Sequence, residues 1–274
     1  MRFEHFRISL LPTIQMSLFE DRSEMSREEW IRKAFASSYV FANRSIFYHY
    51  VPHPADSPTL ISGRIGRSKT SVESTPPEQG LADVDREAWH SITLLIDPTE
   101  HGDGQKLIIE CDKAVGNPSA ILKGFCDEIN NSGQAPLNYS IHIAPIADPE
   151  TFWGFVRENE GDVTLVSFEL IAPNMFGVAS EFDAEMKALQ AYEGAEKARF
   201  EIQSSNGLNL DTERVQETVA YSLRGGGEIV AKTRSKRVYR SKNKVRSTIS
   251  SVSKREFKEM RISQKIKYLI GLFR

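Results

Sequence analysis

Four short stretches of this 274-residue chain place residue types at spacings that bear on chemistry. "HYVPHP" sets His49 and His53 four positions apart. On an unbroken strand the two imidazoles would share a face and begin a metal site. Pro52 interrupts that geometry and Asp56 is the one carboxylate beside them, so the pair reads as a polar strand end. "IIECDKA" (108–114) carries Glu110, Asp112 and Lys113, loosely the acids and lysine of a metal-dependent nuclease. Lys113 lies three positions from Glu110 and therefore on the opposite face of a strand, so the stretch reads as a strand with a solvated edge. "RGGGE" (224–228) resembles a phosphate-cradling loop in composition only. Such a loop needs a strand before its glycines and a helix start after them. Here a helical pattern ends at the glycines, which suits a helix cap and a flexible joint. No nucleophile elbow, Ser/His/Asp spacing, Cys/His pair or dinucleotide fingerprint is present, and no catalytic residue, metal or cofactor is assigned.

The fourth stretch, "AKTRSKRVYRSKNKVRSTIS" (231–250), is where the charge lies. The whole chain carries −2, but from Lys232 onward fifteen Lys and Arg face only Glu256 and Glu259. That segment is +13 and the remainder −15. Such asymmetry marks a polyanion-binding arm, or one that folds back on an acidic face of its own chain or of a twin. The candidate nucleic-acid contacts are Lys232, Arg234, Lys236, Arg237, Arg240, Lys242, Lys244 and Arg246. The last four recur at every second position. On an extended run they would share one side at about 6.6 Å intervals, close to the phosphate spacing of one nucleic-acid strand. Between them stand Ser, Thr, Asn and a single Tyr, small donors suited to phosphate and sugar rather than to base stacking. Backbone-directed binding of duplex DNA without base specificity is the expectation.

The elements that would carry these residues follow from hydrophobic period and caps. "SREEWIRKAF" (26–35) predicts a helix capped by Ser26 with Glu29, burying Trp30, Ile31, Ala34 and Phe35. "PSAILKGFCDEINN" follows the cap Asn117, "DPETFWGFVRE" opens on Asp148 and Pro149, and "LDTERVQETVAYSLRGGG" is capped by Asp211 or Thr212, with Val215, Val219 and Leu223 inward. "SEFDAEMKALQAYEG" (180–194) also reads as a helix. Strands are expected at "HFRISLL", "RSIFYHYV", "TLISGRI", "SITLLID", "KLIIECD", "NYSIHIAPI", "DVTLVSFELIAP" and "KARFEIQS". "SKTSVESTPPEQG" (68–80) has the composition of an exposed, mobile loop. "GEIVAKT" and "RVYRS" form a hairpin with Ile229 and Ala231 on one face and Val230 and Lys232 on the other.

The fold class expected is α+β, with mixed or antiparallel sheets and packed helices. Residues 1–160 would form one α+β domain, 161–226 a second, and 227–274 a basic hairpin, extended run and amphipathic helix hinged at Gly225–Gly227. The helix (253–274) shows an apolar stripe of Phe257, Met260, Ile262, Ile266, Leu269, Ile270 and Phe273. It would dock on its own domain, pair with a second subunit, or lie on an anionic membrane. Two cysteines, no apolar stretch of membrane-spanning length and no signal-peptide pattern at the start point to the cytoplasm.

"GRSKTSVES" (66–74) resembles the Arg-Ser-Lys-x-Ser-Val-Glu stretch of RexA phage-exclusion proteins of lambdoid prophages, through Arg67, Ser68, Lys69, Ser71, Val72 and Glu73. "APNMFG" (172–177) is similar to a Pro-x-Phe-Gly turn in the same family. The resemblance implies a homodimeric, sequence-independent DNA-binding protein that excludes superinfecting phage, with a membrane-protein partner encoded alongside. Two other classes remain open: a nuclease or toxin-type enzyme with acids dispersed over several strands, and a module whose basic arm engages an acidic partner or a membrane surface.

Overall fold

The computed structural model describes residues 1–13, 25–53, 59–101, 104–171, 188, 195 and 197–273. It is an α+β protein with two antiparallel sheets. The first contains β1 (Arg2–Pro12), β2 (Tyr39–Asn43), β3 (Ile46–His53), β4 (Ile61–Ser74), β5 (Asp83–Asp97), β6 (Gln105–Glu110), β7 (Tyr139–Pro145) and β12 (Ser247–Ile249). The second has the order β11-β10-β8-β9, built from β8 (Val163–Ile171), β9 (Lys197–Gln203), β10 (Gly227–Thr233) and β11 (Val238–Arg240). The helices are α1 (Arg27–Ala34), α2 (Pro118–Asn131), α3 (Pro149–Glu158), α4 (Glu213–Tyr221), α5 (Lys254–Glu259) and α6 (Ile262–Leu272).

Strand β1 uses both edges. Phe3 to Ile8 pair with β6 on one side. On the other, Arg2 to Glu4 pair with β12 and Phe6 to Pro12 with β7. His5 fills the gap between those two partners, donating its N–H to the Arg246 carbonyl (3.0 Å) and accepting from the Ile146 N–H (2.9 Å). Residues paired across a ladder share a face, so alternate β1 residues reach two environments. Phe6, Ile8 and Leu10 enter the main core with α1 and α2. That core centres on Phe125, whose ring lies 4.8 Å from Tyr50, 5.1 Å from Phe41 and 5.6 Å from Phe35 and Tyr39. Aromatic contacts of this kind add about 0.5–1.5 kcal/mol each beyond area burial. The caps expected for α1, α2 and α3 are in place: Ser26, Asn117 and Asp148 accept from the backbone N–H of Glu29, Ala120 and Glu150. At α4 Thr212, not Asp211, takes the role.

The second core lies between the second sheet and α3 and α4. Phe152 of α3 is fully buried in it beside Phe168, Val219 and Ile229, so the change of unit comes near Ala147 rather than at residue 160. Residues 227–274 do not stand apart either. β10 is an interior strand of the second sheet, β12 returns to β1, and Leu269 and Leu272 of α6 close over Phe3, Leu60, Leu95 and Ile108 on the outer face of the first sheet. Of the three roles weighed for the C-terminal helix, docking on its own domain is the one seen. The helix breaks at Met260, whose ψ of 145° is extended, and Ile270 faces solvent while Leu272 is buried.

Two local readings are corrected. Of the loop expected over 68–80, residues 68–74 are strand and only the exposed connection from Thr75 is not. β4 and β5 pair without interruption from Ile61↔Ile96 to Ser74↔Asp83 and project as a two-stranded ribbon. Its connection closes at Gly80 in the left-handed region (φ +79°). Nor are Gly225–Gly227 a hinge. All three are buried, the main chain at Gly225 is left-handed (φ +86°), and a Cβ there would collide with the Arg7 side chain. At Gly227 a Cβ would collide with the Glu169 carbonyl of β8. The expected helix over 180–194 and the "APNMFG" turn lie outside the described residues, apart from Ala188, which is helical.

Gly225→Ala should therefore cost about 2–4 kcal/mol, combining left-handed strain with overpacking against Arg7. Gly133 is also left-handed (φ +71°) but has open space around it, so Gly133→Ala should cost only about 1 kcal/mol. Urea unfolding of the two variants tests this, and equal losses would show that the Gly225 contact is slack.

Candidate polyanion-binding surface

The eight cations named from the sequence are all exposed, but they are set on structured backbone rather than on an extended arm. The hairpin forms as expected, with Val230↔Arg240, Ala231↔Tyr239 and Lys232↔Val238 in register and Ile229, Ala231 and Tyr239 buried. Lys232 and Arg240 thus share the solvent face of the second sheet. The turn between the strands holds Arg234, Lys236 and Arg237, with Lys236 left-handed (φ +66°). The alternating run Arg240, Lys242, Lys244, Arg246 does not stay extended. Residues Ser241–Asn243 form a turn of 3-10 helix, and the Ser241 hydroxyl accepts from the Ile229 N–H (2.9 Å) in the interior. The phosphate-like repeat of about 6.6 Å is thereby lost after Arg240.

Acidic groups of the body engage part of this set. Arg237 donates to Asn159 Oδ1 (2.9 Å) and Glu158 Oε2 (3.3 Å), and Lys242 lies 3.6 Å from Glu228. Arg234 donates to the Ser205 carbonyl (3.1 Å). The Asp162 carboxylate is held below its usual range, first by the Ser235 hydroxyl it accepts from and also by Arg234. Lys232, Lys236, Arg240 and Lys244 pair with no carboxylate among the described residues. Tyr239, the one aromatic of the segment, is buried and bonded to Thr151 (2.9 Å), which leaves no stacking platform on this surface.

Arg246 parts from the other seven. Its backbone N–H donates to the Ile146 carbonyl (2.7 Å), and its side chain borders a cleft of about 410 Å³ at the seam of the two sheets. His5 of β1, Lys106 of β6 and Arg224, in the turn after α4, border the same cleft. Nothing in the sequence joined these three, although Arg224 opens the "RGGGE" stretch, because they lie on separate elements. His5 is almost fully buried, and its Nε2 lies 2.7 Å from Thr248 Oγ1 of β12. Burial, then the positive charges of Arg246 and Lys106, push its pKa down to about 4.

The nuclease-like residues are not arranged for chemistry. β6 is an interior strand, not a solvated edge, and Glu110 is buried with its carboxylate accepting from the Thr93 N–H (3.1 Å). Asp112 caps a turn by accepting from the Ala114 N–H (2.9 Å). Pro52 does not break its strand: β3 continues to His53, and among the described residues Val51 to His53 pair with β4 alone, an edge position that tolerates a missing N–H. His49 stacks edge-on to Trp89 at 5.1 Å. Among the described residues no three of His, Cys, Asp and Glu converge as a metal site.

A folded-state pKa below the ordinary value means that protonation favours the unfolded chain. The stability due to neutral His5 is complete above about pH 6.5 and is lost as pH falls from there towards 4. Between pH 7 and pH 4.5 the wild type should lose about 2 kcal/mol more unfolding free energy than His5→Gln, measured by urea titration at both pH values. Equal losses would place the His5 ring in a more hydrated setting. Comparison of the chain with protein-family models, curated proteins and solved structures finds no match.

Proposed function

We propose that this protein binds nucleic acid, duplex DNA in the first instance, through the phosphate backbone and without reading bases. The observation that carries this reading is the set Lys232, Lys236, Arg240 and Lys244: four exposed cations without a carboxylate partner among the described residues, fixed on one hairpin and the turn that follows it. Backbone contact needs positive charge at the surface and little else, and the burial of Tyr239 argues against recognition by base stacking. A preformed platform also spares the ordering entropy that a disordered basic tail would spend on binding. The resemblance to RexA proteins supports a cytoplasmic role in phage exclusion, as sensor or trigger, for a homodimer with a membrane-protein partner encoded alongside. No helix among the described residues is long and apolar enough to cross a membrane.

Counterion release makes the reading quantitative. Four phosphate contacts give a slope of log affinity against log salt of about −4, roughly a hundredfold loss between 50 and 200 mM salt; eight contacts would give about ten-thousandfold. A labelled duplex titrated across that range should show the smaller slope. Replacing Lys232, Lys236, Arg240 and Lys244 together by Ala should abolish binding while leaving thermal unfolding unchanged. Lys244→Ala alone should reduce the slope by about one. Salt-insensitive binding, or undiminished binding by the fourfold variant, would overturn the proposal.

A further inference from the structure

The seam cleft has a composition that the polyanion surface does not share. Three cations reach it from three elements: Lys106 on β6, Arg224 in the turn after α4, and Arg246 on the crossing into β12. Among the described residues of the lining Asp148 is the one acid, and it already accepts from the Glu150 N–H to cap α3. Besides His5 the rest of the described lining comes from apolar residues, among them Ile146, Pro149 and Phe273. A volume of about 410 Å³ lies within the range of about 300–1,000 Å³ usual for small-molecule sites, and apolar walls with a few convergent polar groups are their usual make-up.

We propose that this cleft binds a nucleotide-sized phosphorylated molecule, with the phosphate held by Arg224, Arg246 and Lys106 and the ring against the apolar wall. Three cations against one acid among the described residues of the lining favour an anion. Guanidinium groups match phosphate oxygens by paired N–H donors. Asp148 disfavours a bare anion nearby but accepts from a hydroxyl, which suits a sugar-bearing ligand over inorganic phosphate. His5, neutral at pH 7, leaves the field to the three permanent cations. The inference stands apart from DNA binding, since Arg224 and Lys106 lie outside the hairpin.

Isothermal titration of the full chain with AMP, ADP, adenosine, inorganic phosphate and a short oligonucleotide with and without a 5′-phosphate tests it. AMP or ADP should bind saturably at submillimolar concentration, adenosine should not, and Arg224→Ala should weaken binding tenfold or more. Arg224→Lys should recover part of that loss, and DNA affinity of Arg224→Ala should be unchanged. Absence of saturable nucleotide binding, or binding indifferent to Arg224→Ala, would overturn the assignment. So would inorganic phosphate binding as tightly as AMP, or a 5′-phosphorylated oligonucleotide binding in the cleft without competition from AMP.

Discussion

A buried arginine sets the relation between the two sheets. Arg7 of β1 is about 2% exposed, and its guanidinium lies 5.9 Å from the centroid of the Tyr221 ring at the end of α4. A cation so enclosed is tolerated only where its surroundings are shaped and polarised for it. Two glycines provide the room: a side chain at Gly104 or at Gly225 would run into Arg7. The Tyr221 hydroxyl in turn donates to the Ile171 carbonyl of β8, so the contact runs from the first sheet through one ring to the second. Once Tyr221 is fixed, the turn of Ser222–Gly226 is fixed with it. Leu223 then accepts from the Ala147 N–H (2.8 Å), Arg224 is left at the cleft, and β10 starts against Glu169.

The basic segment follows from that placement. Its apolar residues, Ile229, Ala231 and Tyr239, belong to the second core and cannot leave it without exposing large buried surface. Its cations are what remains on the outside of those same strands. The cations from Lys232 to Arg246 therefore belong to the exteriors of β10, β11, their turn and the crossing to β12, not to an independent tail. The ion pairs to Glu158 and Glu228 are exposed, where such pairs contribute about 1 kcal/mol at most. They trim the potential of the surface without locking it.

Much of the fold was legible because local signals and tertiary demands agreed. The caps at Ser26, Asn117 and Asp148 and the alternation in 227–240 each name their own structure. The ribbon of β4 and β5 was illegible for a physical reason: between Lys69 and Trp89 it meets solvent on both sides, so no apolar alternation marks it, and its Ser, Thr and Glu content imitates a loop. What holds it is an uninterrupted ladder, which composition does not encode. The alternating cations misled in the opposite sense. A period of two was present in charge but not in burial, and the Ser241 hydroxyl, drawn inside by the Ile229 N–H, bends the chain where the charges alone suggested extension. The cleft was beyond reading because none of its cations is near another in sequence.

The seam also explains how so many positive groups gather without destabilising the fold. Like charges repel most where water is absent, and the group deepest in the cluster, His5, is the one that can shed its charge. It does so, its ring lying beside Thr248, while the guanidinium groups of Arg224 and Arg246 remain in water, where repulsion is screened within about 8 Å at physiological salt. The positive charge is thus kept towards the surface rather than in the interior. Residues 240–246 run directly from the hairpin to the seam, so the two cationic regions are joined by one short covalent path. Screening within about 8 Å lets neighbouring cations such as Lys244 and Arg246 feel one another while Lys236, at the far turn of the hairpin, is largely independent of the seam.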